Sequence, residues 1–335
     1  MQISRVFSTI DAHAAGEPLR IITAGVPLLP GNTILERRQY MLDHHDDIRQ
    51  VLLFEPRGHA DMYGAILTPP VTPEADYGVL FLTNEGYSSM CGHGVIALTT
   101  ALLEMGMLPR RSERETPVTY DSPAGLIRAV ATHDGERVAA VRFQNVPAFQ
   151  HRRGLAVPTS VGPVTVDVAW GGAFYALVEA ASLGLEVVPE QAVRLTELGM
   201  EIKYAVQELD YPIHPEEPGL HGVYGTIITG PPRSPDGDGR NITIYADGAV
   251  DRSPCGTGTS ARLANMFAHG QIGVGEPFRH ESVIDTIFTG TVLAETSVAG
   301  RPAVETEIAG RGFVTGLHQF LLQPDDPTLQ GFLVR

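Results

Sequence analysis

Two stretches of the sequence share the pattern Cys-Gly-x-Gly-x-x-Ala: Met90-Cys91-Gly92-His93-Gly94-Val95-Ile96-Ala97 and Pro254-Cys255-Gly256-Thr257-Gly258-Thr259-Ser260-Ala261. They contain the two cysteines of the chain, which are 255 − 91 = 164 residues apart in a chain of 335. A long-period recurrence of this kind is typical of a duplicated structural unit. We therefore predict two similar α/β halves that face each other across a cleft.

Each cysteine stands just before a run with the composition of a helix. Val95-Ile96-Ala97-Leu98 follows the first cysteine turn, and Arg262 to His269 follows the second. Glycines let the backbone approach a small ligand closely, and the free amides of a first helical turn suit a carboxylate. The positive end of the helix dipole also favours a thiolate. Both turns are therefore candidate carboxylate sites with a reactive thiol.

Composition excludes several classes of function. A formal charge of −15 opposes binding to nucleic acid or to an anionic membrane, because both require a basic surface. The start Met1-Gln2-Ile3-Ser4-Arg5-Val6 lacks the apolar core of a signal peptide, and no apolar run reaches about 18 residues. We expect a cytoplasmic protein. Two cysteines with one nearby histidine fall short of a structural zinc site, so no metal is predicted.

The hydrophobic pattern of the first half mixes strands and one amphipathic helix. The predicted elements are strands over 3–10, 20–24, Val51–Phe54 and Tyr77–Thr83 and a helix over Thr33–Arg49. Asp11–Pro18 is predicted to be a polar loop. The polar stretch Glu55–Gly64 fits ligand contact and a packed turn equally well.

The rest of the chain is dominated by closely spaced strands. The strand-like runs are Val118–Tyr120, Leu126–Ala131, Val138–Phe143, Val164–Ala169, Phe174–Glu179, Tyr224–Thr229, Asn241–Ala246, Thr291–Ala294, Ala303–Ile308 and Gly316–Leu322. Gln191–Gln207 has the spacing of a helix. Short spacing with Gly, Pro and Asp between runs indicates antiparallel sheet, so the predicted class is α+β.

Two facing thiols suit one kind of chemistry. With its carboxylate at both turns, a small substrate would have its α-carbon between Cys91 and Cys255, and a thiolate base with a thiol acid would share the removal and return of the Cα proton. Backbone amides would stabilise the resulting enediolate charge, so no metal or organic cofactor is expected. A buried small hydrophobe is the usual alternative for each cysteine. A non-catalytic carboxylate binder would keep the glycine turns but has no use for two thiols.

Other assignments compete with this chemistry. Gly256-Thr257-Gly258-Thr259-Ser260-Ala261 fits a dinucleotide fingerprint weakly, with Glu281 at about the right separation in sequence. In that motif the first glycine follows the strand almost directly, whereas here Gly248–Pro254 intervenes. His93 is either a satisfied turn histidine or a ligand for the ring nitrogen or the thiols. Asp251 is either a helix-capping or turn residue or a ligand for the same groups.

Met90–Gly94 together with Asp251-Arg252-Ser253-Pro254-Cys255-Gly256-Thr257-Gly258-Thr259 resembles the proline racemase family, and the likeness covers essentially the whole chain. The family fold is similar to that of diaminopimelate epimerase. The resemblance implies two domains, each an antiparallel sheet wrapped around a central helix, with the active site in the cleft between them. Residues 1–125 plus 310–335 would form the half that carries Cys91, and residues 126–309 the half that carries Cys255.

The resemblance also implies roles for individual residues. Cys91 and Cys255 would be the catalytic acid/base pair, and Asp251 would hold the imino nitrogen. The implied carboxylate ligands are Gly92, His93, Gly256 and Thr257. Further candidate substrate contacts are His13, His59 and Tyr63. The implied partner is a proline-type imino acid, and a homodimer is the candidate assembly.

Motifs around the cysteines bear on the exact reaction. Asn84–Met90, Gly58–Ala65 and Gly171–Ala176 resemble the trans-3-hydroxy-L-proline dehydratase branch, which usually carries threonine where Cys255 stands. A second thiol is what a racemase or epimerase needs. The sequence therefore predicts dehydration of trans-3-hydroxy-L-proline to Δ1-pyrroline-2-carboxylate, with 4-hydroxyproline 2-epimerase or proline racemase activity through both thiols as the alternative.

Overall fold

Four helices and eighteen strands form the fold, which is described for residues 2–334 from a computed structural model. The helices are α1 (Ile34–Leu53), α2 (Gly92–Glu104), α3 (Ala192–Leu209) and α4 (Gly256–Ala268). The chain divides into two compact units. Unit 1 consists of the segment up to Val141 and the segment from Arg311 onward, and unit 2 is the continuous segment Arg142–Gly310.

Unit 1 is a mixed sheet around α2. Its strands are β1 (Arg5–Ala14), β2 (Glu17–Ala24), β3 (Gly64–Thr68), β4 (Tyr77–Leu82), β5 (Tyr87–Ser88), β6 (Glu115–Ser122) and β7 (Gly125–Asp134). β8 (Arg137–Gln144) runs across the boundary between the units. The last strand of the chain, Gly312–Leu322, pairs with β1, so the order is last strand-β1-β2-β3-β4-β6-β7, with β5 on β4.

Unit 2 repeats this arrangement. Its strands are β9 (Phe149–Val157), β10 (Val164–Trp170), β11 (Phe174–Glu179), β12 (Val223–Gly230), β13 (Gly239–Tyr245), β14 (Ala249–Asp251), β15 (Pro277–Glu281), β16 (Ile287–Val298) and β17 (Arg301–Gly310). The order is β9-β10-β11-β12-β13-β15-β16-β17, with β14 on β13. The final strand in unit 1 is β18.

The directions of the strands match as well. In unit 1 only β2–β3 and β4–β6 pair in parallel, and in unit 2 only β11–β12 and β13–β15 do so, among the strand pairings within each unit for residues 2–334. The parallel pairs follow the crossovers that contain the helices, because a crossover returns the chain to the same end of the sheet. The α+β class is confirmed, whereas the predicted antiparallel sheets are in fact mixed.

Each sheet curves around its own central helix. α2 contacts β1 and β18 at one end of the sheet order and β7 at the other, and α4 likewise contacts β9, β10, β16 and β17. Every residue of Gly92–Leu103 is buried. A helix that is apolar on all sides has to be enclosed in this way. None of the helices within 2–334 is long and apolar enough to cross a membrane.

Two local predictions were wrong. Val51–Leu53 forms the last turn of α1 rather than a strand, because Ile48, Val51 and Leu52 continue the buried helical face at the spacing of i, i+3 and i+4. Most of the predicted loop Asp11–Pro18 belongs to the β1–β2 hairpin. Only Ala15 and Gly16 turn the chain, with φ values of 53° and 93°, as a two-residue hairpin requires. Strand β9 was not predicted.

Candidate active site

Cys91 stands at the N-cap of α2, where its thiol lies against the first helical turn. Its side chain is buried, and Sγ accepts the backbone N–H of Gly94 at 3.2 Å. A Cβ atom at position 94 would lie 2.7 Å from Sγ and 2.6 Å from Cε1 of Phe81. Glycine at this position is therefore required for the sulfur to reach the helix amide.

His93 is a titratable group in direct contact with Cys91. Its Nδ1 is 3.3 Å from Cys91 Sγ, and the ring of Tyr63 meets the imidazole edge-on with 4.8 Å between centroids. Tyr63 in turn donates a hydrogen bond of 2.6 Å to Ser88 Oγ. Burial lowers the pKa of His93 to about 3, against a weaker raising effect of the Pro18 carbonyl. The imidazole is therefore neutral near pH 7.

The end of α1 fixes the segment that leads to Cys91. Asn84 donates from Nδ2 to the carbonyl of Leu53 at 3.0 Å and accepts the N–H of Met62 at 3.2 Å. Arg49 is buried and donates to the carbonyl of Thr83 at 3.0 Å. Because Met62 precedes Tyr63, these bonds position the tyrosine that touches His93.

Cys255 stands at the equivalent N-cap of α4. Its Sγ accepts the N–H of Gly258 at 3.3 Å, and a Cβ at position 258 would lie 2.9 Å from that sulfur and 2.8 Å from Cδ1 of Ile227. The backbone differs, however, because Cys255 has φ 66° and ψ 109° whereas Cys91 has φ −141° and ψ 109°. A non-glycine residue in this region is strained and persists only when its surroundings hold it.

A chain of side-chain bonds holds the strained peptide. Ser253 Oγ donates to Asp251 Oδ1 at 2.7 Å and accepts the N–H of Cys255 at 3.1 Å. Asn241 donates from Nδ2 to the carbonyl of Pro254 at 3.0 Å, and Thr259 donates from Oγ1 to the carbonyl of Cys255 at 2.7 Å. The peptide groups on both sides of Cys255 are thus fixed.

Tyr175 completes the surroundings of Cys255. Its hydroxyl oxygen lies 2.6 Å from Thr257 Oγ1 and 3.6 Å from Cys255 Sγ, and its side chain is fully buried. Burial, and secondly the charge of Asp251, raise the pKa of the Cys255 thiol well above its ordinary value. Burial also raises the pKa of Asp251. Cys255 is consequently a thiol, and thus a proton donor, near pH 7.

The two turns therefore offer different chemistry on the same scaffold. His93 and Thr257 both stand two residues after a cysteine at the start of a buried helix, so an imidazole in unit 1 is replaced by a hydroxyl in unit 2. Tyr63 and Tyr224 also correspond, since each begins the pattern Tyr-Gly-x-Ile-x-Thr at the start of β3 and β12. The thiol of unit 1 lies beside a neutral base and that of unit 2 beside a carboxyl group.

The predicted substrate-binding residues lie on several different elements. Gly92 and His93 form the first turn of α2, Gly256 and Thr257 that of α4, and Asp251 ends β14. His13 lies on β1, accepts the N–H of Gly16 and stacks on Phe313. His59 is exposed, with Nδ1 2.7 Å from the carbonyl oxygen of Ala60.

Sequence reasoning did not single out four of the residues around the thiols. Tyr175, Ser88, Ser253 and Asn241 all contact a cysteine turn or a residue that touches one. The repeat of Tyr-Gly-x-Ile-x-Thr was a usable signal for Tyr63 and Tyr224. Across 2–334, no cluster of three or more His, Cys, Asp or Glu side chains is arranged to hold a metal ion.

Comparison with known proteins agrees with this architecture. The proline racemase family profile matches residues 9–333. A trans-3-hydroxy-L-proline dehydratase of Bacillus cereus is 47% identical over 334 residues, which cover 100% of both chains. A 3-hydroxyproline 2-epimerase of Burkholderia multivorans is 48% identical over 337 residues, again covering 100% of both. The crystal structure of a hydroxyproline epimerase from Agrobacterium vitis, with bound trans-4-hydroxy-L-proline, has a TM-score of 0.92 at 37% identity and covers 100% of this chain and 97% of its own.

Proposed function

This chain belongs to the proline racemase family and is an enzyme, a lyase or a racemase/epimerase, and we propose that it dehydrates trans-3-hydroxy-L-proline to Δ1-pyrroline-2-carboxylate. Relatives named for this reaction, from Bacillus cereus and from two Burkholderia species, are 46–47% identical along the whole chain. The observation that carries the proposal is the difference between the thiols. Cys91 adjoins a neutral imidazole, whereas Cys255 adjoins a carboxyl group that opposes its ionisation.

Such a pair suits removal of a proton by one thiolate. Cys91 takes the Cα proton, so that the C–H bond breaks and an S–H bond forms. The electron pair left on Cα spreads into the carboxylate as an enediolate. The amides of the first turn of α2 and the positive end of its dipole are suited to stabilise that charge. Gly92 and His93 supply two of these amides.

The stereochemistry of the substrate then determines which group protonates the leaving hydroxyl. In trans-3-hydroxy-L-proline the hydroxyl is trans to the carboxylate, so the Cα hydrogen and the hydroxyl are on the same face of the ring. The base that removes the hydrogen therefore also faces the hydroxyl, and the new Cys91 thiol returns its proton to it. The C3–O bond breaks, water leaves, and the enamine tautomerises to the imine. Neutral His93 is not an acid in this scheme, although it remains a hydrogen-bond partner of the thiol.

Inversion at Cα of a hydroxyproline is the second candidate function. It is favoured by the presence of Cys255, since inversion needs a proton donor on the opposite face, and by the Burkholderia multivorans relative. In that reaction Cys255 gives its proton to Cα and becomes the thiolate. Both thiols are then obligatory, whereas dehydration needs only Cys91.

Proton NMR in D2O separates these candidates. Trans-3-hydroxy-L-proline, trans-4-hydroxy-L-proline and L-proline are each incubated with wild type, Cys91→Ser and Cys255→Ser. We expect the C3 proton of the 3-hydroxy substrate to shift as the imine forms, in wild type and Cys255→Ser but not in Cys91→Ser. If the 2-epimer is the sole product, the protein is an epimerase. Equal loss of dehydration activity in both cysteine variants would contradict the one-thiol scheme. EDTA is expected to leave the rate unchanged, because thiols and amides carry the proposed steps.

A further inference from the structure

Tyr175 lies where it can bond either of the two polar side chains of the second cysteine turn. Its oxygen is 2.6 Å from Thr257 Oγ1 and 3.6 Å from Cys255 Sγ. The phenol has one hydrogen to donate, so it can serve only one of the two acceptors at a time. Either oxygen can donate in the shorter bond. We take the phenol hydrogen to point toward Thr257 while Cys255 is a thiol, because a neutral sulfur is a weaker acceptor than a hydroxyl oxygen. The Cys255 S–H then has the carboxyl group of Asp251 as its acceptor.

The hydroxyl of Tyr175 also stays protonated near pH 7. Burial raises the pKa of its hydroxyl well above the ordinary value, and the neighbouring Cys255 raises it further. The phenol is therefore a permanent donor. A thiolate is a stronger acceptor than a hydroxyl, because hydrogen bonds to charged groups are about twice as strong as neutral ones. Loss of the proton from Cys255 would turn the phenol O–H from Thr257 to the sulfur.

Building on the proposed function, we propose that Tyr175 is a positioning residue that changes its hydrogen-bond partner as Cys255 gives up or regains its proton. Inversion at Cα then depends on Tyr175, whereas loss of the 3-hydroxyl does not. When Cys255 protonates Cα, the S–H bond breaks and a C–H bond forms. The Tyr175 O–H then donates to the new thiolate, and no further proton has to leave the site. The reverse exchange occurs when Cys255 removes a proton from the other isomer.

The other polar groups around Cys255 cannot replace Tyr175 as the donor that turns to the sulfur when Cys255 loses its proton. Gly258 N–H donates to the sulfur in the thiol state already. Asp251 is acidic and opposes the thiolate. Thr257 Oγ1 is 3.9 Å from Sγ, farther than the phenol. Tyr224 faces the ring of Tyr175, with 5.7 Å between centroids, and Arg252 faces Asp251.

Alkylation of the thiols tests the switch without relying on turnover. The rate of iodoacetamide labelling of each cysteine is measured by peptide mass spectrometry from pH 7 to 10 in wild type, Tyr175→Phe and Tyr245→Phe. Only a thiolate reacts, so the rate follows the thiolate fraction. We expect Tyr175→Phe to slow labelling of Cys255 about tenfold at each pH below its midpoint, the size expected for a lost bond to a charged acceptor. Tyr245→Phe removes a hydroxyl from the same aromatic cluster and should label like wild type.

A second variant predicts a change in the opposite direction. Thr257→Val removes the competing acceptor and leaves the phenol free for Cys255, so labelling of Cys255 should become faster. A defect of folding would not slow one variant and speed the other, and labelling of Cys91 should be unchanged in both. Unchanged Cys255 labelling in folded Tyr175→Phe overturns the proposal, and so does slower labelling in Thr257→Val.

Turnover separates this inference from the proposed function. If the proposed function and this inference are both correct, Tyr175→Phe lowers the ratio of inverted to dehydrated product from 3-hydroxyproline at least severalfold. Slower Cys255 labelling in a protein that converts neither hydroxyproline supports the contact and contradicts the proposed function. A fall in dehydration as large as the fall in inversion contradicts a role of Tyr175 that is confined to Cys255.

Discussion

The two cysteines have the same local sequence but different backbone conformations. Cys91 is extended, with φ −141°, and Cys255 has φ 66°. Asp251 ends β14 and is followed by Arg252-Ser253-Pro254 before Cys255, whereas Tyr87-Ser88-Ser89-Met90 precedes Cys91. Unit 2 therefore has a carboxyl group four residues before its cysteine, where unit 1 has a tyrosine. The local chain thus sets both the strain at Cys255 and the charge beside its thiol.

This difference predicts that a β-branched substitution destabilises the protein at position 255 but not at position 91. Cys255→Thr should be about 1–2 kcal/mol less stable than Cys255→Ser, because a branched side chain is poorly tolerated at positive φ. Cys91→Thr should match Cys91→Ser, since threonine suits an extended backbone. Urea unfolding of the four variants measures both differences. An equal penalty at the two positions would contradict the backbone assignment, and the strain makes serine the better test of function at Cys255.

His93 predicts a dependence of stability on pH. Its pKa in the folded protein is about 3, below the unfolded value of about 6.5, so above pH 6.5 both states are neutral and no difference arises. As the pH falls from 6.5, the unfolded chain binds a proton that the folded site refuses, and stability is lost at up to about 1.4 kcal/mol per unit. Between pH 6.5 and 4.5, His93→Gln should therefore lose about 2 kcal/mol less than wild type in urea titrations.

The control for this prediction is His59→Gln, which changes an exposed histidine. Its loss of stability between the same two pH values should equal that of wild type. If His93→Gln loses as much stability as wild type between the two pH values, then His93 is protonated in the folded state. The assignment of a neutral imidazole beside Cys91 would then be wrong.

At the level of elements, α2 and α4 each follow a cysteine whose Sγ accepts the backbone N–H of the glycine three residues later. The glycine-rich turn, the helix after it and the strand-rich composition could all be predicted from the sequence, because they are local. Val51–Leu53 was wrongly predicted to belong to a strand, since a short apolar run fits a strand and a buried helix end equally. The contact of Tyr175 with Cys255 joins residues 80 positions apart, and only the folded sheet brings them together.

Alanine at either glycine tests the fit of these helix starts. Gly94→Ala and Gly258→Ala push a Cβ to within 2.7 Å and 2.9 Å of the sulfur, so the thiol or the first turn has to move. We expect a loss of about 1–3 kcal/mol in stability, as for overpacking of a core, and a fall of at least tenfold in kcat for Gly94→Ala. Gly86→Ala is the matched control, because a Cβ there meets nothing within 4 Å. Wild-type melting and turnover in Gly94→Ala would contradict the tight contact.

At the level of the whole molecule, the two units share strand order, strand direction and the position of both helices. Unit 2 is continuous, with its own buried helix and sheet, whereas unit 1 is built from two separated segments. Within unit 1, β18 pairs with β1 over its whole length and contacts α2. Truncation can therefore test whether unit 2 folds without unit 1 and whether unit 1 needs its C-terminal segment.

We expect the fragment Arg142–Gly310 to fold alone. Its far-UV circular dichroism should show one cooperative thermal transition, because its sheet and α4 core lie within the fragment. The fragment of residues 1–141 lacks β18 and leaves one edge of β1 and one side of α2 uncovered, so it should show none. A cooperative transition for residues 1–141, or none for Arg142–Gly310, would contradict this division.

The pairing of β1 with β18 also has a consequence for the order of events on the ribosome. Ser4 donates its N–H to the carbonyl of Leu322, so a segment made among the first is held by one made among the last. Unit 2 emerges whole and can fold while unit 1 still waits for its final strand. Because chains lengthen at about 5–20 residues per second, β1 and α2 spend on the order of ten seconds or more without their cover. The half that carries Cys91 is thus the later to mature, and it leaves apolar surface of β1 and α2 uncovered for longer during synthesis.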